Sequence, residues 1–578
     1  MSPKSSRFAF RIICITGVLT TVIVNPWFSF DPINLPKMLV LSTGSGFLIG
    51  YLLVNRPKLA NQFRMMAIAL GLLALTFTIS FFSNSAPWYQ QLWGTWGRST
   101  GLITYISFLI ITLASMFYVN SIALSGLKMV FERLGYFITS YTLLQLLDLD
   151  PINWSQKIMI ATLGNINFMS SFLGLTSISY VSQLLKPKTN LITKSFYFLL
   201  IAINIAIILI SESIQGIGVF LAGLTLLITY EIKFRLNALK AIAFFLTTTA
   251  LGLIAVLGSA GIGPLSALRQ DTVMFRIDYW RTAINILFAN PWNGVGFDSY
   301  GDFYREYRNL EAVTRTGPQR VTNTAHNIFL DVSVNAGFVA GLLFFVIMCL
   351  TGISVFRSFK HDSPNLDFQA LSSMWLGFVV FCLISINQIG VGVWGFIFMG
   401  AINGLTLKNR IRTEDPPRNY KLSKRKLKGS EKTEREESKL TGEPSLFERV
   451  LTLGVSIIFA IAMFAVAFLP NLADARYSGA IKNRDLNAAS KVIGNLGIQD
   501  YHTENLIMGL GEQGRVKEAL TLAFALSKTN PQSWQAWVQI VSNPNATLEQ
   551  KKLAAENLLR LDPNNALVRE ELSNLFSR

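Results

Sequence analysis

The stretch Ala325-His326-Asn327-Ile328-Phe329-Leu330 closes a long polar segment, about 259 to 325, and stands just ahead of an apolar run from 337 to 356. That run has the roughly 20 residues a bilayer helix needs. Working outward, hydropathy marks about thirteen such spans, near 8–24, 36–54, 63–82, 100–119, 127–147, 161–185, 195–210, 213–230, 238–258, 337–356, 368–387, 389–407 and 449–469. The short seventh and eighth form a tight hairpin around Ser211-Glu212. The expected fold is all-α: a polytopic transmembrane helix bundle with a soluble helical tail.

Composition agrees. Hydrophobic residues make up 51% of the chain, charged residues 15%, and mean hydropathy is +0.41. A soluble protein would carry roughly 25% charged residues. The net charge of +17 does not point to nucleic acid, because the surplus sits in short loops and one linker, as membrane orientation requires. Cys14, Cys349 and Cys382 fall in apolar runs, with neither a disulfide framework nor metal-ligand spacing. The first span has the basic flank of a signal peptide (Lys4, Arg7, Arg11) but no small-residue cleavage site after it, so it reads as a retained anchor.

Lysine and arginine in the short loops set an expected orientation. One alternating set holds Arg56, Lys58 and Arg64, then Lys128, then Lys186, Lys188 and Lys194, then Lys233, Arg235 and Lys240, then Arg357 and Lys360, then the linker. The other set is poor in them: 25–35 has none, 83–99 has Arg98 and 148–160 has Lys157. The N-terminus is therefore expected inside, and the 259–325 loop and the C-terminal tail outside. The implied domains are a transmembrane unit, 1–407, with an outer loop at about 259–336; a basic cytoplasmic linker, 408–448; a final span, 449–469; and an extracytoplasmic helical unit, 470–578. In that tail Ala519–Ser527 and Ala554–Leu561 show helical apolar spacing. Breaks follow at Thr529-Asn530-Pro531 and Leu561-Asp562-Pro563, and the two prolines are close to one tetratricopeptide period apart. Such repeats bind partners, which leaves room for a protein partner at the tail.

Chemistry is sought on the outer side. The chain has three histidines; His361 lies in a short basic loop and His502 in the tail, so His326 alone can face outward from the membrane unit. It reads either as a structural hydrogen-bonder or as a base, since an unperturbed imidazole titrates near pH ~6.5. Asn327 and Asp331 are placed to orient it or an acceptor. The preceding loop holds Arg269, Arg276, Arg281, Arg305, Arg308, Arg315 and Arg320 and no lysine. These are either a solvated face paired with the loop's carboxylates or a phosphate-binding set, since guanidinium grips phosphate through two parallel hydrogen bonds. Arg276 and Trp280, four apart, share a helical face. Asp148-Leu149-Asp150 is a metal-binding pattern in form, but Pro151 makes it a turn. Trp88, Tyr89, Trp93 and Trp96 read as interfacial anchors or as sugar-stacking rings. Glu212 reads as a hairpin tip or as a functional acid.

Together these residues carry a family resemblance. Arg276-x-x-x-Trp280, Asn290-Pro291-Trp292-Asn293-Gly294-Val295-Gly296-Phe297, Ala325-His326-Asn327-x-x-Leu330 and Gly337-x-x-x-Gly341 resemble the O-antigen ligase/polymerase membrane protein family. Upstream, Asp31-Pro32 with Pro36-Lys37, Trp96-Gly97-Arg98-x-x-Gly101-Leu102 and Gly164-Asn165-Ile166-Asn167 resemble it in the same order. The resemblance covers about residues 20–405. It implies a GT-C-like glycosyltransferase in a bacterial cytoplasmic (inner) membrane, passing a glycan from an undecaprenyl-diphosphate carrier to a hydroxyl acceptor without metal or other cofactor. The acceptor would be a lipid (lipid A-core in lipopolysaccharide), a growing polysaccharide or a protein. By that resemblance His326 is the base and Arg276 holds the diphosphate, with Arg98, Arg281, Gln215 and Asn327 as further substrate-binding residues. Many members carry Ser-Arg-Gly where this chain has Ser213-Ile214-Gln215-Gly216, so Gln215 replaces a charge. A non-catalytic scaffold or a transporter is the rival reading.

Overall fold

Lipid offers no partner to a backbone amide or carbonyl, so segments that cross it close their hydrogen bonds within helices. The structure, a computed structural model, describes residues 3–57, 61–154, 159–359, 365–414 and 445–576. Among the described residues there are 23 α-helices and no strand. In order they are α1 (Pro3–Val22), α2 (Asn34–Asn55), α3 (Asn61–Ser83), α4 (Trp88–Trp93), α5 (Leu102–Tyr118), α6 (Ser121–Leu146), α7 (Ile166–Leu184) and α8 (Leu191–Ile210). Then come α9 (Ile214–Arg235), α10 (Ala238–Ser259), α11 (Asp271–Ala289), α12 (Tyr300–Tyr307), α13 (Leu310–Thr316), α14 (Ile328–Ser358), α15 (Leu366–Ile384) and α16 (Ile389–Glu414). The tail follows: α17 (Leu446–Lys482), α18 (Leu486–Ile493), α19 (Asp500–Glu512), α20 (Val516–Thr529), α21 (Trp534–Ser542), α22 (Leu548–Leu561) and α23 (Ala566–Phe576). Most of the expected linker, with Lys58, Lys157, Lys360 and His361, lies outside the described residues.

Each of the thirteen expected spans is a helix, and nine helices among the described residues are long and apolar enough to cross a membrane: α2, α3, α8, α9, α10, α14, α15, α16 and α17. The other four fall short for local reasons. Helix α5 has 17 residues, and α1 opens with Lys4, Arg7 and Arg11. Helix α6 carries Lys128, Glu132 and Arg133. Helix α7 carries Ser170, Ser171, Thr176, Ser177 and Ser179, all fully buried, so its polar groups meet other helices rather than lipid. The charges of α6 are matched internally: Lys128 donates to Asp367 at 2.9 Å, and Glu132 accepts from Ser179 at 2.7 Å.

Helices without a hydrophobic drive between them associate through small residues that let backbones approach. A Cβ on Gly46 or Gly50 of α2 would stand 2.6 Å from Phe459 O or Ser456 Cα of α17. Gly400 and Gly404 do the same for α16 against α5; the Ile389–Thr406 part of α16 is wholly buried among α5, α1, α14 and α15. Helix α10, by contrast, presents most of its apolar surface outward.

Past Pro470, α17 runs on into the tail, whose helices pack each on the next. The tail then folds back onto the loops of the bundle. Asp474 accepts from Ser29 Oγ, from the amide of Phe30 at 2.6 Å and from His502 Nε2 at 2.9 Å. Trp96 stacks on Tyr501 with centroids 4.0 Å apart, and Tyr89 donates to Asp500. Trp93 is buried, donating to Val466 O at 3.0 Å. Three of the four loop aromatics are thus used against α17 and the tail, while Trp88 stays half exposed.

Candidate functional site

The site is built on a break in α14. Ala336 and Gly337 leave helical geometry, Gly337 with φ +85°, so a short helix from Ile328 lies at an angle to the span that follows. The Asn290–Phe297 turn docks on that break by backbone bonds: Val295 N to Val334 O at 2.8 Å, Gly296 N to Asn335 O at 3.1 Å and Phe338 N to Pro291 O at 2.8 Å. Glycine is required on both sides. A Cβ on Gly337 would meet Trp292 O at 2.0 Å, and one on Gly294 (φ +66°) would meet Val334 O at 2.2 Å. Ser80 of α3 closes the joint, donating to Asn293 O and Asn335 O.

The loop that carries Arg98 is held by two carboxylates from distant segments. Asp298 accepts from Thr95 N and Thr100 N, each at 3.1 Å, and from Thr100 Oγ1 at 2.6 Å. Asp31 accepts from Gly97 N at 3.1 Å, and Asn34 donates to Gly97 O at 2.7 Å. Lys37, fully buried, donates to Thr20 O, Thr21 O and Ile23 O and so satisfies the carbonyls at the end of α1. The guanidinium of Arg98 then donates to Asn323 Oδ1 at 3.1 and 2.9 Å, three residues before His326.

His326 itself has φ +53°, a left-handed backbone uncommon outside glycine. Its neighbours hold it there: Ala325 N donates to Asp331 at 2.7 Å, and Asn327 caps α14 through Phe329 N and Leu330 N. The imidazole lies against Tyr279, centroids 5.5 Å apart. Tyr279 is one turn from Arg276 on α11. Burial, then the charges of Arg98 and Arg276, push the His326 pKa down to about 3, so the imidazole is neutral at physiological pH.

The seven arginines divide. Arg308 and Arg305 bond to Asp562 of the tail, Arg315 pairs with Asp278, Arg281 pairs with Glu311 on the surface, Arg320 lies over the Phe275 ring and Arg269 is exposed. Arg276 Nε and Arg315 Nη1 are both buried without a hydrogen-bond partner, but Arg315 Nη1 lies 3.3 Å from Asp278 Oδ2, whereas among the described residues no carboxylate pairs with Arg276. The structure therefore brings Arg98 and Arg276 to His326. Asn327 is engaged in capping and in a bond to Leu383 O at 3.1 Å. Gln215 lies in the α7–α9 seam, donating to Ser171 at 3.0 Å beside the Ser170–Ser213–Asn167 bonds. Asp150 is bonded to Tyr141, Gln145 and Ile152 N, as a turn residue. Glu212 has φ +56° between α8 and α9. Sequence reading missed Asn323 and Tyr279 and took Asp298 for an offsetting surface charge; only its place beside the Gly294-x-Gly296 turn hinted at more.

Two comparisons bear on this arrangement. Residues 197–345 match a family model described as O-Antigen ligase. That stretch runs from α8 into α14 and contains Gln215, Arg276, Arg281, His326 and Asn327, while Arg98 lies outside it. No curated protein matches the chain.

Proposed function

We propose that the chain, whose residues 197–345 match a family model described as O-Antigen ligase, transfers a glycan from an undecaprenyl-diphosphate carrier to a hydroxyl acceptor at the outer face of a bacterial cytoplasmic membrane. The observation that carries this reading is the meeting of a neutral, backbone-strained His326 with Arg98 and Arg276. In the reaction the acceptor oxygen attacks the anomeric carbon while His326 takes its proton. The bond from that carbon to the diphosphate oxygen breaks, and its electron pair leaves with undecaprenyl diphosphate. Arg98 and Arg276 stabilise the charge that develops on the leaving group, where fixed guanidinium groups act most strongly. Asn327 and Asp331 position the His326 segment. Gln215, without charge, would serve by shaping the α7–α9 seam.

The bundle is read as GT-C-like, with the N-terminus cytoplasmic and the tetratricopeptide-like tail extracytoplasmic. Docking of that tail on the site loop favours an acceptor large enough to touch both, a growing polysaccharide or a protein, over lipid A-core. The test uses wild type and His326→Ala in reconstituted membranes with the host's lipid-linked glycan pool and native acceptor fraction. Release of undecaprenyl diphosphate by wild type and its loss in the variant, at equal donor binding, is expected. Equal release by both removes His326 from the mechanism; none from either returns weight to a scaffold or a transporter.

A further inference from the structure

Between the Arg98 loop and the tail lies a cavity of about 500 Å³, inside the size range of small-molecule sites. Its wall is drawn from both parts of the chain. Gln499 of the tail is 3% exposed and donates through Nε2 to Gly94 O at 2.8 Å, yet its Oε1 is buried without a partner. On the bundle side of the cavity Thr95 Oγ1 and Trp96 Nε1 are likewise buried and unpartnered. Each such atom costs about 1–3 kcal/mol unless something bonds it.

What would satisfy them is constrained. The wall needs a donor for Gln499 Oε1, an acceptor for Trp96 Nε1 and either for Thr95 Oγ1, and a hydroxyl group is both. Asp302, Asp500 and Glu504 line the same space and disfavour an anion. Arg98 at one end disfavours a cation, and among the described residues no group of three or more metal-ligating side chains is placed to hold a metal. The three carboxyls are already bonded to neutral donors, from Gln90, Tyr89 and Ser533. An uncharged polyol suits such a wall, whose lining includes the mutually stacked rings of Trp96 and Tyr501.

We propose that this cavity is a saccharide subsite in which tail and bundle together hold the rings of a glycan substrate beside Arg98. The proposal rests on the reading of the chain as a glycan transferase, and it gives the tail a share in substrate binding. The sugar belongs either to the acceptor or to the donor's glycan.

The test uses the full chain in nanodiscs and, as probe, the oligosaccharide repeat released by mild acid from the host's lipid-linked pool. Trp96→Phe keeps the stack on Tyr501 and removes the Nε1 donor; Thr95→Val keeps the shape and removes the hydroxyl. Wild type should bind the probe by calorimetry, and each variant should bind it roughly tenfold more weakly. In transfer assays the KM of the substrate bearing the bound sugar should rise by a similar factor with kcat held, and whether the acceptor or the donor responds names the source. His326→Ala should bind the probe as wild type does. No binding by wild type, or unchanged binding in both variants, overturns the subsite even if transfer is observed. Binding weakened by both variants without transfer by wild type leaves the subsite standing and overturns the transferase reading instead.

Discussion

Arg308 of the site loop and Asp562 of the tail form a fully buried ion pair across 254 residues of sequence, Nε to Oδ1 at 3.2 Å. Pro318 O and Arg320 O accept two further guanidinium hydrogens, and Asn565 donates to the same carboxylate. The pair fixes where the tail lies on the loop. Asp562→Ala should strand a buried guanidinium and destabilise the docked tail by about 3–5 kcal/mol. Hydrogen exchange is the check: protection should fall at 300–320 and in α22 but not in α5 or α16. Unchanged protection would show that the pair is not needed for docking.

Gly337→Ala should be more damaging than its size suggests. The new methyl meets Trp292 O at 2.0 Å on a backbone with φ +85°. Strain and overpacking together should cost at least about 2 kcal/mol, lowering Tm and, through the displaced 290–297 turn, lowering activity. A neighbouring Gly-to-Ala change at Gly352, where a Cβ has only a 3.7 Å contact, serves as control.

Asp298→Asn tests the clamp on Arg98. The carboxylate accepts two amides and a hydroxyl; an amide cannot accept all three. We expect a loss of about 1–3 kcal/mol in stability and, because Arg98 acts on the developing charge, a lower kcat together with weaker donor binding. Normal donor binding would detach Arg98 from the donor.

The pH dependence of stability has a defined sign. Burial raises Asp302 and Glu504 to about 7 each, against ordinary values near ~4. Folding therefore takes up protons there: the contribution is full below pH ~4 and lost as pH rises through about 7. His326, depressed to about 3, acts oppositely, its contribution lost as pH falls from ~6.5 toward 3. Above pH ~6.5 only the carboxyls of this set act. Wild-type Tm should thus fall from pH 6.5 to 8, and Asp302→Asn with Glu504→Gln should flatten the fall. An equal slope in the double variant would remove these carboxyls as its source.

Depression of His326 also predicts the rate profile. With the free-enzyme base at about 3, the acid limb of kcat/KM should show no titration at the ordinary ~6.5. A bound diphosphate offsets Arg98 and Arg276, so the acid limb of kcat should lie at higher pH than that of kcat/KM. Arg276→Gln should raise the kcat/KM limb by removing one of the charges that lower it. A limb at ~6.5 in wild type would contradict the burial of the imidazole.

Much of this molecule is legible in its sequence. Lipid compels apolar runs of fixed length to be helices, a local requirement, so thirteen segments could be placed and each is a helix. His326 stood out because the chain is poor in histidine, and the order of the motif pieces was visible because each is short and contiguous. What tertiary structure alone decided is which charges remain for chemistry. Seven arginines in one loop look alike in sequence, yet Arg308 is consumed by a carboxylate in the tail while Arg276 keeps a buried, unpaired nitrogen. Whether Arg98 reaches His326 depends on Asp31 and Asp298, 267 positions apart by their numbering, closing on one loop. Local pattern sets the helix, but pairing of charges depends on partners that only folding brings within a few ångströms.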